Sequence, residues 1–146
     1  MKNINLIRKK EADKWFARNK GSLSVKDEKI FNLIKINSIK ANNILEIGCA
    51  NGDKLNQYSK LCKSKKSYGV DLSKKAILDG KRRYKDLKLL NISSIEIDKI
   101  KVNFDFIICG FFLYNLDREL IFRQFDLIHN KLLEGGYLLI LDFDPL

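Results

Sequence analysis

Hydrophobic residues of this chain gather in five short runs, at about positions 43–48, 67–72, 87–92, 104–111 and 137–141. Each run has the length of a strand, and the segments between several of them repeat apolar residues every three or four positions, as helices do. Strands that alternate with helices predict an α/β fold with a parallel sheet. Because crossovers between parallel strands are right-handed, we expect a Rossmann-like, doubly wound parallel sheet with helices on both faces.

The first forty residues lie outside this alternation and carry a separate helical pattern. We expect a helix over about residues 8–20, which Gly21 ends. The change of pattern divides the chain into an N-terminal helical lid or cap segment, residues 1–40, and a core domain, residues 41–146.

Trp15 and Phe16 form an apolar pair in this otherwise lysine-rich N-terminal segment. Two interpretations of the segment stay open. In the first, the aromatic pair anchors the segment on the core domain. In the second, the segment is a lid, and Arg18 and Asn19 reach a bound ligand.

A long helix is predicted between the fourth and fifth apolar runs, beginning at Asp117 and ending at the pair Gly135-Gly136. His129, the single histidine, lies one step off the predicted core face of this helix, so we expect it on the surface rather than in a catalytic site. The predicted core face consists of Ile121, Phe125, Ile128 and Leu132.

The first apolar run leads into a turn that is suited to binding. Gly48 and Gly52 bracket the turn, Ala50 lies between them, and a helical pattern opens directly afterwards. Glycine allows a ligand to approach the backbone closely, and the first turn of a helix offers free N–H groups. Glu46 precedes the first glycine by two residues. This strand, turn and helix together predict an anion or cofactor site.

Other strand ends supply further candidate groups at the same edge of the sheet, where ligands of such folds bind. Asp71 follows Gly48 by 23 residues, and a carboxylate there can accept both hydroxyls of a ribose. Asn91 ends the third run, and its amide can recognise an adenine edge. The fourth run ends in Gly110, Phe111, Tyr114 and Asn115. Together these groups predict a site for an adenosine-containing cofactor.

The glycine turn does not match the dinucleotide fingerprint G-x-G-x-x-G, because alanine stands where a glycine is needed. An acid at Glu46 also suits an ammonium better than a pyrophosphate. Neither a Ser/His/Asp set nor a zinc spacing is found in the sequence, so no metal is predicted. The three cysteines are far apart in apolar surroundings, which favours buried reduced thiols: Cys49, Cys62 and Cys109.

The glycine turn and four later motifs resemble, in order and spacing, those of class I S-adenosylmethionine-dependent methyltransferases. The resemblance covers about residues 40–143 and implies that S-adenosylmethionine is the cofactor. It also implies the strand order 3-2-1-4-5. The matching segments are Ile44–Leu55, Tyr68–Ser73, Leu90–Ser93, Phe104–Ile108 and Leu132–Leu138.

The resemblance assigns a role to each candidate residue. The glycine turn would pass close to the methionine part, Asp71 would hold the ribose hydroxyls, and Leu72 would pack on the adenine. Independently of the resemblance, Tyr114 is the best-placed polar candidate for a base, which is needed only if the acceptor must lose a proton; its alternative role is aromatic packing in the cofactor pocket. The implied cofactor-binding residues are Arg18, Asn19, Glu46, Gly48, Ala50, Gly52, Asp71, Leu72, Asn91, Ile92, Gly110 and Phe111.

Three shorter segments resemble a bacterial subgroup that is linked to surface-sugar biosynthesis: Trp15–Asn19, Phe112–Glu119 and Asp142–Pro145. We therefore expect methyl transfer to a small-molecule or sugar-type acceptor. The alternative is a truncated S-adenosylmethionine-binding module that is inactive alone or acts as a partner domain. A nucleotide-linked oxidoreductase is disfavoured by the missing glycine. A base methyltransferase is disfavoured because the sequence has no Asn/Asp-Pro-Pro-aromatic tetrad.

The sequence departs from the family at its C-terminal end. Members of the family usually have two further strands, which form an antiparallel hairpin at the sheet edge, and here the fifth run is followed by only a few residues. We expect the fifth strand to be an exposed edge, which is prone to pairing. A shortened chain, a homodimer that pairs these edges, or a partner chain that covers them would each account for it.

The net charge of +10 is uneven, with +14 on residues 1–102 and −4 on residues 103–146. A lysine-rich solvated surface explains most of it, and a basic patch that attracts an anionic substrate or nucleic acid is the alternative. We expect no nucleic-acid partner. No apolar run approaches the roughly 20 residues of a membrane helix, and the N-terminus lacks a signal-peptide core, which predicts a cytoplasmic protein without a membrane partner.

Overall fold

The computed structural model describes residues 2–25 and 28–143. These residues form five α-helices and five strands. Two of the helices precede the first strand, and the other three connect the first strand to the second, the second to the third and the fourth to the fifth, as the apolar pattern predicts. Residues 144–146, at the end of the predicted core domain, lie outside the described residues. The helices are α1 (Lys2–Asn19), α2 (Glu28–Ile36), α3 (Asp53–Cys62), α4 (Lys74–Arg83) and α5 (Arg118–Lys131), and the strands are β1 (Asn43–Ile47), β2 (Lys66–Val70), β3 (Leu87–Leu90), β4 (Phe104–Gly110) and β5 (Leu132–Leu141).

The sheet is parallel throughout, in the order β3-β2-β1-β4-β5, which confirms the predicted fold class. The central strand β1 pairs with β2 on one side and β4 on the other, so that Leu45 faces Tyr68 and Ile107. The carboxyl ends of β1, β2 and β4 are therefore neighbours. The sequence segments that follow these strands meet at one edge of the sheet.

Two hydrophobic clusters occupy the two faces of the sheet, because alternate residues of a strand point to opposite sides. Ile44 of β1 packs with residues of α2 and α3 on one face. Leu45 and Ile47 pack with Ile97 and with Ile128 of α5 on the other face. Helices consequently cover both faces of the sheet, as expected.

The predicted end of α5 is wrong. The helix stops at Lys131, and β5 begins at Leu132, opposite Phe104. The register then shifts, so that Tyr137 pairs with Phe106. Gly135 has a left-handed backbone conformation (φ +74°) and lies between Leu132 and Tyr137, where the register shifts. It therefore belongs to the irregular part of β5 and not to the end of α5.

The predicted core face of α5 is correct at Ile128 and wrong at Phe125, whose side chain is 36% exposed. Gln124 and Lys131 are buried instead. The Lys131 ammonium donates to the Ile100 carbonyl at 2.6 Å, and the Gln124 amide donates to the Ser94 carbonyl at 3.4 Å. These two polar side chains are buried because they satisfy backbone carbonyls of the short helix Ser94–Lys99 and the residue after it.

Among the described residues, β5 pairs with β4 alone and leaves its outer edge uncovered. Leu138 and Ile140 of β5 are 36% and 41% exposed, and Phe122 of α5 is 83% exposed. The edge is therefore apolar as well as unpaired. None of the described helices has the length and apolar character that crossing a bilayer requires.

Candidate functional site

The glycine turn between β1 and α3 has three residues in left-handed backbone conformations: Gly48 (φ +76°), Ala50 (φ +48°) and Gly52 (φ +79°). A Cβ atom at Gly48 would lie 2.6 Å from a ring carbon of Phe112, so only glycine fits there. The N–H groups of Gly48 and Cys49 both donate to one carbonyl at the end of β2, at 2.9 and 3.1 Å. The turn is thus fixed against the neighbouring strand.

Asp71 follows β2 and joins it to the glycine turn. One carboxylate oxygen accepts from the Ala50 N–H at 2.9 Å, and the other accepts from the Ser73 N–H at 2.8 Å. Burial raises the pKa of Asp71, and these two hydrogen bonds partly offset the effect. An ionised carboxylate accepts about four hydrogen bonds. Asp71 is therefore held in place with accepting capacity for two further donors.

Asn91 fixes the segment that follows Asp71. Its amide nitrogen donates to the carbonyls of Asp71 and Leu72, each at 2.9 Å. Leu72 and Ile92 line a cavity at this edge of the sheet, whereas Asn91 is not among the residues that line it. The structure therefore gives the Asn91 amide a supporting contact that the sequence did not predict.

The end of β4 places aromatic side chains opposite the glycine turn. Phe111 adopts a left-handed conformation (φ +52°), which is uncommon for a bulky residue. Its N–H donates to the Leu141 carbonyl at 2.6 Å, which holds this conformation in place. The Phe143 ring lies 5.1 Å from the Phe111 ring and 5.0 Å from the Tyr114 ring. Strained backbone of this kind is concentrated at functional sites.

Helix α1 lies across the site with one stripe of side chains. Arg8, Ala12, Trp15 and Arg18, spaced three or four residues apart, line the cavity beside Asp71. Asn19 lines the neighbouring cavity, on the side of Glu46 and Ala50, and its amide nitrogen donates to the Trp15 carbonyl at 2.8 Å. The sequence-predicted lid residues are thus brought to the same edge of the sheet as the glycine turn.

Polar contacts attach α1 to the core. Asp13 accepts from the Ser73 hydroxyl at 2.7 Å and from the Lys75 N–H at 3.0 Å. Arg8 forms an ion pair with Asp117. Within the side chains described for this helix, Phe16 alone is buried. Among the side chains described for α1, from residue 8 onward, the contacts with the core are therefore largely hydrogen bonds and an ion pair.

A buried network next to the glycine turn was missed by the sequence analysis. The Asn51 amide nitrogen donates to Asp53 and to Asp79, each at 3.1 Å, and Lys20 donates to Asp79 at 2.9 Å. Burial would raise the pKa of Asp79, but hydrogen bonds from Lys20 and Asn51 outweigh it and hold the pKa below its ordinary value. Arg83 pairs with Asp53 at 2.8 Å. The sequence feature that could have indicated this network is the presence of charged residues on helix faces that are otherwise apolar.

Two cavities adjoin at this edge of the sheet. The first has a volume of about 410 Å³ and contains Glu46, Ala50 and Gly110 among its lining residues. The second, of about 400 Å³, contains Asp71, Leu72 and Ile92. The residues that line both cavities are Trp15, Gly48, Phe111 and Tyr114.

Gly52 does not line either cavity and is the N-cap residue directly before α3. Its carbonyl accepts from the Asn56 N–H at 2.9 Å, and a Cβ atom there would lie 3.1 Å from a methyl group of Leu87. Gly52 therefore supports the conformation of the turn without contacting either cavity.

The described residues contain no group of three or more histidine, cysteine or acidic side chains arranged to hold a metal. All three cysteines are buried and free. Burial raises the pKa of Cys62 to about 11 and that of Cys109 to about 12, and it raises the pKa of Cys49 well above the ordinary value. These thiols are neutral at physiological pH and unsuited to nucleophilic catalysis.

The fold and the site define a Rossmann-like nucleotide- or cofactor-binding domain. Residues 45–138 match the family model described as a methyltransferase domain. The chain belongs to this methyltransferase domain family.

The chain is also similar to individual proteins. The chain is 30% identical over 108 residues to the uncharacterized protein RP028 of Rickettsia prowazekii, covering 70% of this chain and 43% of that protein. It is similar to the N-methyltransferase NodS from Bradyrhizobium japonicum, solved with S-adenosyl-L-homocysteine (TM-score 0.64, 25% identity, covering 77% of this chain and 58% of NodS). It shares its fold with the sugar N-methyltransferase KedS8 from a Streptoalloteichus species (TM-score 0.71, 20% identity, covering 89% of this chain and 53% of KedS8). The chain thus spans about half the length of these proteins.

Proposed function

We propose that this chain binds S-adenosylmethionine and transfers its methyl group to a small-molecule or sugar-type acceptor. The observation that carries the proposal is the anchored Asp71 carboxylate, which lies beside the left-handed glycine turn where two cavities adjoin. An acidic acceptor for ribose hydroxyls next to a close-approach turn is the arrangement that an adenosine-containing cofactor requires.

The residues of the two cavities fit the two halves of this cofactor. In the second cavity, Asp71 would hold the ribose, while Leu72 and Ile92 would contact the adenine. In the first cavity, the backbone of the glycine turn and of Gly110 would line the methionine part, and the Glu46 carboxylate suits its ammonium group. Asn91 would act by holding Leu72 in position.

The N-terminal residues 1–40 would form a lid over the core domain of residues 41–146. The Arg18 and Asn19 side chains lie on the α1 surface that faces the two cavities, so that they would close over the bound cofactor. The polar contacts of the described α1 side chains support this proposal, because hydrogen bonds and ion pairs are more easily broken and remade than a large apolar interface.

The reaction requires mainly alignment from the protein. The sulfonium of the cofactor supplies a methyl group that is already activated for displacement. Holding the two reactants in line is worth up to roughly 7–11 kcal/mol in favourable cases. Tyr114 lines both cavities and is the polar residue that would take a proton from a hydroxyl acceptor; its alternative role is aromatic packing in the pocket.

The acceptor class is supported by the short motifs shared with the surface-sugar subgroup and by the similar proteins. NodS is described as an N-methyltransferase and KedS8 as a sugar N-methyltransferase. Both are consistent with a small polar acceptor for this chain.

A second candidate is an S-adenosylmethionine-binding module that is inactive alone or serves as a partner domain. The uncovered apolar edge of β5 favours it, since a second copy of the chain or a partner chain would bury Leu138 and Ile140. Binding of the cofactor without turnover on any amino-sugar, hydroxyl or amine acceptor would support this candidate.

Calorimetry with S-adenosylmethionine and S-adenosylhomocysteine tests the binding proposal. We expect micromolar affinity for the wild type and a loss of at least about tenfold for Asp71→Ala, because the ribose hydroxyls lose a charged acceptor. Asp98→Ala, at an exposed acidic residue outside both cavities, is the matched control and should bind normally. A folded wild type that binds neither ligand would contradict the proposal.

A further inference from the structure

The helices that cover the two faces of the sheet differ in charge. Helices α2, α3 and α4 pack on one face, around a single hydrophobic cluster. Eight of their lysine and arginine side chains are exposed, five of them on α4. Their acids are fewer and mostly buried, because Asp53 and Asp79 are covered and Glu28 alone is exposed within these described helices. The outer surface of α2, α3 and α4, which we call the basic face, is therefore strongly cationic.

The opposite face of the molecule is balanced in charge. It is covered by α5 and by the short helix Ser94–Lys99. Three cations and three acids of these two helices are exposed: Lys99, Arg118, Arg123, Asp98, Glu119 and Asp126. A lysine-rich composition alone would place cations over both faces. Their concentration on one face favours an anionic partner that binds there.

Exposed apolar side chains lie among the cations of the basic face. On α4, Leu78 is 53% exposed and follows Lys74 by four residues and precedes Lys81 by three, so that the three share one stripe of the helix. On α2, Leu33 and Ile36 are 42% and 80% exposed. The basic face thus combines positive charge with apolar side chains that are open to solvent.

We propose that the basic face binds the surface of a membrane that contains anionic phospholipids. Headgroup phosphates attract nearby lysine and arginine, and exposed apolar side chains enter the boundary between headgroups and acyl chains. The lack of a long apolar run in the sequence predicts no membrane partner, but that criterion concerns segments that span a bilayer. Binding at the surface requires no such segment.

A nucleic acid is the alternative polyanion, and two features of the basic face favour the membrane. Its cations lie on three neighbouring helices, with Lys29 and Lys35 on α2 and Lys60 on α3, and so form a broad surface rather than a line along a groove. The aromatic side chains within the described helices α2, α3 and α4 are Phe31 and Tyr58, and neither is exposed. Bases would therefore find no exposed ring on these helices on which to stack.

The basic face extends to the edge of the sheet where the two cavities lie. Helix α4 begins directly after Ser73, whose N–H donates to the Asp71 carboxylate at 2.8 Å. The Lys75 N–H donates to Asp13 of α1 at 3.0 Å, so α1 lies beside the start of α4. A membrane on the basic face would therefore bring the cavities close to the headgroups.

Co-sedimentation with two kinds of vesicle tests the proposal, one of phosphatidylcholine alone and one of equal parts phosphatidylcholine and phosphatidylglycerol. We expect the wild type to bind only the second kind, and more weakly as salt is raised. The double variant Lys74→Glu/Lys81→Glu should bind about 30-fold or more weakly, because two cations of the basic face are replaced by acids. Arg118→Glu/Arg123→Glu makes the same change of net charge on the opposite face and should bind as the wild type does. Thermal melts show whether the variants are folded.

Leu78→Ser tests the apolar part of the contact. We expect about a 5-fold loss of vesicle affinity with an unchanged dependence on salt, since this variant removes apolar surface and no charge. Phe122→Ser, at an 83% exposed position of α5, is the control on the opposite face and should bind normally. A Leu78→Ser variant that binds as tightly as the wild type would contradict the entry of apolar side chains into the bilayer.

A folded wild type that does not bind the phosphatidylglycerol vesicles would overturn the proposal. Equal losses in the two charge variants would overturn it as well, because net charge rather than the basic face would then determine binding. Tighter binding to a DNA duplex or a single-stranded RNA than to the vesicles, at the same phosphate concentration, would assign the face to a nucleic acid instead. All three results leave the proposed function intact, because the binding of S-adenosylmethionine is measured separately by calorimetry.

Discussion

Asp71 combines an unfavourable environment with a defined position. Burial raises its pKa above the ordinary value of 3.8, while hydrogen bonds from Ala50 and Ser73 hold both oxygens. The carboxylate is ionised at the expense of folding stability, which is a common property of binding sites.

This environment predicts a pH dependence. A carboxyl whose folded-state pKa is raised contributes stability that is fully present below its unfolded-state pKa and is lost as pH rises through the folded-state value. We expect the free energy of unfolding of the wild type, relative to that of Asp71→Asn, to fall as pH rises from below 3.8 through the raised pKa. Urea titrations at a series of pH values measure it, and a constant difference would contradict the assigned burial.

Gly48 permits a second residue-scale prediction. Gly48→Ala adds a methyl group 2.6 Å from Phe112 and forces alanine into φ +76°, so we expect a loss of about 1–3 kcal/mol in the free energy of unfolding. Gly21→Ala is the matched control, because nothing lies within 4 Å of its added Cβ atom. Urea unfolding that shows equal stability for both variants would refute the geometry of the turn.

The sequence identified the candidate residues of the turn and of the strand ends because each lies beside a strong local pattern. It could not predict that the Asn91 amide nitrogen is occupied by two carbonyls, or that Phe111 takes a left-handed conformation. Both depend on which backbone groups meet after folding.

Helix α1 is attached to the core through polar contacts of its described side chains as well as through the buried Phe16. Its described contacts to the core include Asp13 with Ser73 and Lys75, and the following turn adds Lys20 with Asp79. Asp79 also accepts from Asn51 of the glycine turn. The position of the helix is thus linked through Asp79 to the turn that would contact the cofactor.

Lys20→Ala should loosen this link. We expect faster amide hydrogen exchange in α1 and faster dissociation of S-adenosylhomocysteine, together with a rise in the Asp79 pKa, because a cationic donor is removed. Lys10→Ala removes an exposed lysine of the same helix and should leave both rates unchanged. Unchanged dissociation in Lys20→Ala would show that α1 does not gate the site.

Elements whose patterns were unambiguous could be predicted from the sequence, and the α5–β5 connection could not. Gly135 and Gly136 resemble a helix end, yet the tertiary pairing of Leu132 with Phe104 starts the strand earlier. Phe125 has the helical spacing of a core residue, but its side chain is 36% exposed. Local pattern does not specify which face of a helix is covered.

At the scale of the whole molecule, the net charge and the exposed apolar surface have opposite effects on self-association. The net charge of +10 favours separate molecules, whereas the uncovered β5 edge favours association. Because salt screens charge and leaves apolar contacts in place, we expect self-association to increase with ionic strength.

Sedimentation velocity over a concentration series at low and high salt tests this expectation. Ile140→Lys, at a 41% exposed position of the edge strand, should reduce association. Ile36→Lys, at an 80% exposed position of α2, adds the same charge elsewhere and should associate as the wild type does. Association that is insensitive to Ile140→Lys would place the contact elsewhere.

The most direct test of the central claim is a crystal structure of the chain grown with S-adenosylhomocysteine. We predict that the ribose lies on Asp71, the adenine beside Leu72 and Ile92, and the amino-acid part against the glycine turn, with the sulfur where the two cavities adjoin. A ligand bound in the reverse direction, bound elsewhere, or absent at saturating concentration would contradict it.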